Sequence, residues 1–207
     1  TDGYVRALFD GYAPQFDRHL SEGLGYRGPA FLADALRRAR ALHGRPVRFG
    51  RTLDHGCGTG LMARALAGIA SPIEGVDLSP RMLDQARRTH LYEALHEAEL
   101  VSFLSGQEEG ATDLVVAADV LVYMADLRAV FAHATRVLSL EGLFAFTVQA
   151  TDRDGFVLGE DARFAHSEAY LRGLAGGAGL TMLVLEGVST RLDRDRPVPG
   201  LLAVLEG

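Results

Sequence analysis

The spacing of hydrophobic positions along this chain divides it into three stretches. Up to about residue 43 they recur at three- and four-residue steps, with Val5, Leu8, Phe9, Tyr12, Phe16 and Leu20 on one stripe, which predicts helix. Pro14 must interrupt that helix, because proline lacks an N–H and its ring clashes with the preceding turn. After "GYRGP" a second stripe places Phe31, Leu32, Ala35, Leu36 and Ala39 on one face, with Arg37, Arg38 and Arg40 expected on a solvated one. From residue 49 short apolar runs alternate with amphipathic segments, which predicts a parallel sheet wrapped by helices. Strands are expected at 50–54, 72–77, about 96–98, 112–118 and 142–149, and helices at 60–68, 80–89 and 126–138. Ser79-Pro80 offers a capping hydroxyl and a proline in the first turn, and Asp126 can cap the third helix.

The tail abandons the alternation. Ser167 to Ala178 reads as helix, followed by two β-rich runs, "LTMLVLEGVST" and "VPGLLAVLEG". The short polar stretch "RLDRDRP" between them cannot contain a parallel crossover, so the two runs should pair antiparallel. The expected class is α/β, a Rossmann-like, mostly parallel sheet closing in an antiparallel C-terminal hairpin. The chain reads as one domain over 1–207, with a helical lid at 1–45 and the core at 46–207.

Composition narrows the functional classes. With 207 residues and 48% hydrophobic positions, the chain can bury a substantial core. Its formal charge is -6, and no block of basic residues tracks a phosphate backbone, so no nucleic-acid partner is expected. One cysteine cannot close an internal disulfide, the first residues lack a signal-peptide pattern, and no apolar run approaches the roughly 20 residues of a membrane span. A reducing, cytoplasmic setting without a membrane is expected.

The chemistry concentrates in "LDHGCGTG", residues 53–60. A strand, then alternating glycines, then an apolar helix brings backbone close to a ligand at the strand's carboxyl edge, where no Cβ intrudes. A second strand, "IEGVD", ends at Asp77 about 20 residues on, where a carboxylate can accept both hydrogen bonds of a ribose diol. The dinucleotide fingerprint would require Gly or Ala at position 61, where Leu61 stands, and this disfavours NAD. Cys57 and His55 are too few for a metal site and lack an activating partner for a nucleophile, so no metal is expected.

Together, "LDHGCGTG" and "EGVDLSPRMLDQAR" resemble the first two motifs of the class I S-adenosylmethionine-dependent methyltransferases. "FDGYAPQFDRHL", "LGYRGP", "AADVLVYMADL", "GLFAFTV", "RFAHS" and "PVPGLLAVL" extend the likeness over nearly the whole chain. They resemble bacterial methyltransferases found behind tetratricopeptide repeats and the Williams-Beuren-region methyltransferase-like proteins. The resemblance implies a seven-stranded class I methyltransferase sandwich using S-adenosylmethionine, with S-adenosylhomocysteine as product. It implies that Asp54, Gly56, Cys57, Gly58 and Gly60 line the methionine moiety, and that Asp77 holds the ribose with Leu78 and Met82 against adenine. Glu99 and Leu100 would meet the adenine amino group, Ala118 and Asp119 the methionine amino group, and Tyr123 the pocket wall. Tyr12, Tyr26 and Arg27 would form a lid, and His166, in a region that borders the acceptor pocket in this fold, is the candidate general base. "LSLEGL" departs from the family's Pro-Gly before strand five.

The acceptor is expected to be a small molecule, with a protein side chain as the other possibility, since "AADVLVY" is no "NPPY"-type motif. Two further classes share the strand-loop-helix-acid layout. One is a cofactor-binding module without turnover. The other is a short-chain-type oxidoreductase, whose Tyr-x-x-x-Lys pair is impossible in a chain without lysine. If the glycines rather than the thiol carry the loop's function, Cys57→Ala should retain S-adenosylmethionine affinity in calorimetry while Gly58→Val loses it. The reverse pattern would overturn this reading.

Overall fold

The computed structural model describes residues 2–12, 26–193 and 196–207. Pro14, Phe16, Leu20 and the Tyr12 side chain lie outside the described residues. Two helices, α1 (Asp2–Tyr12) and α2 (Gly28–Leu42), precede the sheet. The alternating stretch forms β1 (Thr52–His55), α3 (Leu61–Ala65), β2 (Ile73–Asp77), α4 (Pro80–Arg87), β3 (Ala94–Glu97), α5 (Leu100–Ser105) and β4 (Thr112–Ala117). A 3-10 turn at Leu121–Tyr123 leads to α6 (Arg128–Val137) and β5 (Leu138–Ala150). The remainder is β6 (Phe156–Leu158), β7 (Phe164–His166), α7 (Glu168–Ala178), β8 (Thr181–Val188), β9 (Leu192–Asp193), β10 (Arg196–Pro197) and β11 (Gly200–Glu206).

The main sheet runs β3-β2-β1-β4-β5-β11-β8, with the small β6–β7 pair attached to β5. The first five strands of that path are parallel, and β11 enters antiparallel between β5 and β8. This is the Rossmann-like class I methyltransferase fold, with the antiparallel C-terminal pair expected from the short "RLDRDRP" connection. Central strands are apolar on both faces, as parallel strands covered by helices must be. Leu114 and Val116 of β4 and Leu143 and Ala145 of β5 pack with α2 and α3. Val115, Ala117, Phe144 and Phe146 point the other way onto α6 and α7. There Phe131, Phe144 and Phe146 form an aromatic knot with centroids 4.8 to 5.6 Å apart, each ring contributing about 1.5–3 kcal/mol by burial alone.

Local chemistry sets most helix starts. Ser79 Oγ accepts the Met82 N–H at 3.2 Å with Pro80 in the first turn, and Ser167 Oγ accepts the Tyr170 N–H at 3.1 Å. Asp126 accepts the Arg128 N–H at 2.9 Å from one residue before the cap position, held by Leu127.

Three features depart from the sequence expectation. Helix α5 and the β6–β7 pair are additional elements, too short for any hydrophobic period to register. Arg40 is buried, not solvated: its guanidinium stacks over Phe49 at 4.6 Å and donates to the Glu141 carbonyl at 3.0 Å. Of the stretch expected as a lid, α2 is core, since Leu32, Ala35, Leu36 and Ala39 are wholly inaccessible. Leu36→Ala should therefore cost about 3 kcal/mol and lower the melting temperature by roughly 10 °C. A melting temperature unchanged by calorimetry would mean that α2 is peripheral.

Candidate cofactor and acceptor site

In a parallel sheet, ligands bind beyond the carboxyl ends of the strands, where the strand order reverses and neighbouring loops diverge. Here β1 pairs with β2 on one side and β4 on the other, so the reversal falls between β1 and β4. A cavity of about 460 Å³ opens there, within the range of small-molecule sites.

The loop after β1 enters it through glycine. Gly56 has φ +63°, and a Cβ there would lie 2.3 Å from Val120, so any side chain would fill the cradle. Gly58 donates its N–H to Asp77 Oδ2 at 2.9 Å, while Asp77 Oδ1 accepts from the Ser79 N–H at 2.8 Å. Asp77 is thereby fixed at the end of β2 and faces the cavity. Burial pushes its carboxyl up, and the backbone N–H groups counter this.

The loop after β4 supplies the second carboxylate. Asp119 adopts φ +55°, which is unusual for a residue with a side chain. Its N–H donates to Thr147 Oγ1 at 2.8 Å, and Oδ1 accepts from Thr147 at 2.9 Å and Thr190 at 3.1 Å. These bonds tie β4, β5 and the residues after β8 together. Oδ2 is buried with no hydrogen-bond partner, and burial pushes the carboxyl up. Tyr26 stands beside this carboxyl, and burial, then the Asp119 charge and a side-chain hydrogen bond with Asp119, push its hydroxyl well up. An orphaned, buried acceptor is costly unless a donor arrives. It suits an ammonium group, which is the chemistry a methionine moiety would offer.

Gly56, Gly58, Asp77, Leu78, Met82, Glu99, Leu100, Ala118, Asp119, Tyr123 and Tyr26 all line the cavity. Glu99 has a second task, capping α5 by accepting the Val101 and Ser102 N–H groups at 2.9 and 2.8 Å. Asp54, Cys57 and Gly60 lie behind the lining. Asp54 is 1% exposed and accepts the Tyr92 hydroxyl at 2.6 Å, with burial pushing its carboxyl up to about 7. The Cys57 thiol is buried and pushed well up, first by burial and then by Asp54 and Asp77, while its N–H donates to the Val76 carbonyl at 3.0 Å. His55 is buried beside it, its imidazole pushed down to about 3 by burial. No metal-holding cluster of His, Cys, Asp or Glu occurs among the described residues.

Two candidates fall outside the cavity. Arg27 is exposed, its guanidinium 4.7 Å from the Phe31 ring and its N–H donating to the Thr190 carbonyl. His166 does not reach the lining: it is wholly buried in β7, with Nε2 3.1 Å from the Ala125 carbonyl and its ring stacked on Tyr170. Burial lowers its basicity, and its Nδ1 is buried without a partner and away from the lining, so the structure does not present this imidazole to the cavity.

Helix α1 closes the cavity from above with Val5, Leu8 and Phe9, residues whose helical period was legible while their target was not. Phe9 meets Tyr123 edge-to-face at 5.5 Å. Polar contacts hold the helix: Arg6 pairs with Glu97 and donates to the Leu78 carbonyl, and Ser79 Oγ donates to Asp10 at 2.6 Å. Tyr92, Arg163, Thr190 and Arg191 carried no local signal, because each reaches the site through long-range packing.

The fold and the position of the crevice are those of the class I methyltransferase fold. Residues 53–146 match the family model described as a methyltransferase domain. Among curated relatives, the ubiquinone biosynthesis O-methyltransferase of Thiobacillus denitrificans is 32% identical over 55% of this chain and 50% of its own. Methyltransferase-like protein 27 of Homo sapiens is 36% identical over 53% and 43%. The chain thus spans about half the length of these relatives. Among solved structures, magnesium protoporphyrin IX methyltransferase from Synechocystis PCC 6803 with bound S-adenosylhomocysteine has a TM-score of 0.73 at 16% identity, covering 99% of this chain and 98% of that one. The [4+2]-cyclase SpnF has a TM-score of 0.76 at 17% identity, covering 100% and 96%.

The raised Asp54 carboxyl makes a prediction about pH. A carboxyl higher in the folded than the unfolded state stabilises below the unfolded value, here 3.8, and that contribution is lost as pH rises towards about 7. The melting temperature of Asp54→Asn relative to wild type should rise between pH 4 and pH 8. A difference independent of pH would show that Asp54 is not held up.

Proposed function

We propose that this protein is an S-adenosylmethionine-dependent methyltransferase acting on a small-molecule acceptor. One observation carries the reading: Asp77, fixed by the Gly58 and Ser79 N–H groups, faces the same cavity as the unpartnered Asp119 Oδ2. A diol-accepting carboxylate and an ammonium-accepting carboxylate on neighbouring loops match the two polar ends of one amino-acid nucleoside. The cofactor supplies, when bound, a methyl group on a positively charged sulfur.

Methyl transfer to a nucleophile is an in-line displacement, so the chain's work is alignment and exclusion of water. Asp77 accepts the ribose hydroxyls. Leu78, Met82 and Leu100 cover the adenine faces, and the Glu99 oxygens, each with a lone pair left after capping α5, accept its amino group. Asp119, with Ala118, orients the methionine amino group. Phe9 and Tyr123 close the mouth and exclude water. Among the described residues no histidine or cysteine lines the cavity, and an acceptor already deprotonated or carrying a free lone pair suits such a lining.

The small-molecule acceptor is supported by the sheltered cavity and by the likeness to the Thiobacillus ubiquinone biosynthesis O-methyltransferase. The likeness to methyltransferase-like protein 27 favours kinship with that group. No helix among the described residues is long and apolar enough to cross a membrane, and the lone cysteine favours a cytoplasmic setting. A second reading, a cofactor-binding protein that does not transfer methyl groups, is favoured by the likeness to SpnF, since one fold hosts unrelated chemistries.

Calorimetry should show S-adenosylhomocysteine binding to wild type and weakening by roughly tenfold to a hundredfold in Asp77→Ala, the loss expected when hydrogen bonds to a charged group are removed. Binding of NAD(H) alone would overturn the proposal. Label transfer from methyl-labelled cofactor to the small-molecule fraction of an extract decides between enzyme and binding module.

A further inference from the structure

The cavity is segregated by charge. Its carboxylates, Asp77, Glu99 and Asp119, stand beyond β2, β3 and β4. At the end of β5 and beside it the wall is formed by Val148, Gln149, Val198 and Pro199 with two guanidinium groups, Arg163 and Arg191. Those two arginines differ. Arg191 is nearly covered and pairs with Asp161 at 3.0 Å. Asp161 Oδ2 also accepts from Gln149 at 2.9 Å and Oδ1 from the Arg163 backbone N–H at 3.2 Å, and, against burial, these bonds and the charges of both arginines hold its carboxyl down. Arg163 has no ion pair among the described residues. Its guanidinium lies 5.6 Å from the Tyr123 ring, with Nε reaching the Tyr123 hydroxyl at 3.3 Å.

A guanidinium on the wall of a cavity, held against a tyrosine ring and hydroxyl and without a contact ion pair among the described residues, is placed to receive an anion, with the Asp119 and Asp161 charges acting on it from longer range. The carboxylate half repels such an anion and attracts a cationic cofactor. The two halves therefore select different ligands. We infer that Arg163 anchors an anionic group, most simply a carboxylate, of an acceptor whose apolar body lies against Val148, Val198 and Pro199. This rests on the reading of the carboxylate half as the cofactor's, and it names the acceptor class: a small molecule with an apolar body and an acidic group.

The test measures binding of benzoate and octanoate, each against its neutral amide, to S-adenosylhomocysteine-saturated protein by calorimetry. Wild type should prefer each acid to its amide. Arg163→Gln should lose that preference by about tenfold or more, the scale of a charge-assisted pair, while keeping its S-adenosylhomocysteine affinity and its melting temperature. Arg163→Lys should keep part of the preference, through charge without the planar fork. Equal binding of acid and amide to wild type, including none of either, overturns the inference, as does a preference that survives in Arg163→Gln. Loss of S-adenosylhomocysteine affinity in Arg163→Gln would assign this arginine to the cofactor and overturn the inference while leaving the methyltransferase reading intact. Failure of wild type to bind S-adenosylhomocysteine would defeat that reading instead, and the acid preference would then be read on the free protein.

Discussion

Everything at this site depends on β1 being hydrogen-bonded on both sides, to β2 and to β4, so that the chain winds outward in opposite directions from one strand. Loops leaving β1 and β4 must diverge, and the gap between them cannot be filled by either connection. Gly56 enters the gap from one side and Asp119 from the other, both with positive φ. The Thr147 and Thr190 hydroxyls hold Asp119 in that conformation by reaching from β5 and from the residues after β8. The antiparallel tail is thus part of the site's wall as well as of the sheet.

Burial of carboxylates is the second organising feature. Asp54, Asp77 and Asp119 are all pushed upward by desolvation, and each is satisfied differently. Asp54 takes the Tyr92 hydroxyl and stiffens the strand beneath the glycine loop. Asp77 takes two backbone N–H groups and still faces the cavity. Asp119 is left with one oxygen unpaired. Groups held against their solvation in this way collect at functional sites, and here the least satisfied of the three is the one in the strained backbone. Beside β5, Arg163, with no contact ion pair among the described residues, gives the cavity its opposite pole.

Much of this was legible in one dimension. "LDHGCGTG" and Asp77 sit at strand ends, and strand ends in a parallel sheet point to one edge, so sequence spacing translated directly into shared location. The same logic reached Ala118 and Asp119. It failed for His166, whose chain position places it near the site while its side chain turns into the core against Tyr170 and the Ala125 carbonyl. It failed for Arg27 as well, because a residue at the start of α2 is aimed by packing against Phe31, not by the sheet. Arg40 misled because a long stem lets a charged residue bury its length while its head finds a carbonyl.

By itself the sequence determined the periods, the helix caps and the glycine positions, because these are consequences of bonds within a few residues of each other. It therefore determined the class of fold and the strand-end residues, Asp77 and Asp119 among them, that line the cavity. Tertiary structure alone decided which of the early helices is core and which covers the site, since both carry equally good apolar stripes. It also decided that Arg163, beside a short strand pair with no readable period, meets the Tyr123 ring and hydroxyl at the cavity wall. A side chain's partner depends on every element packed around it, and no local pattern encodes that.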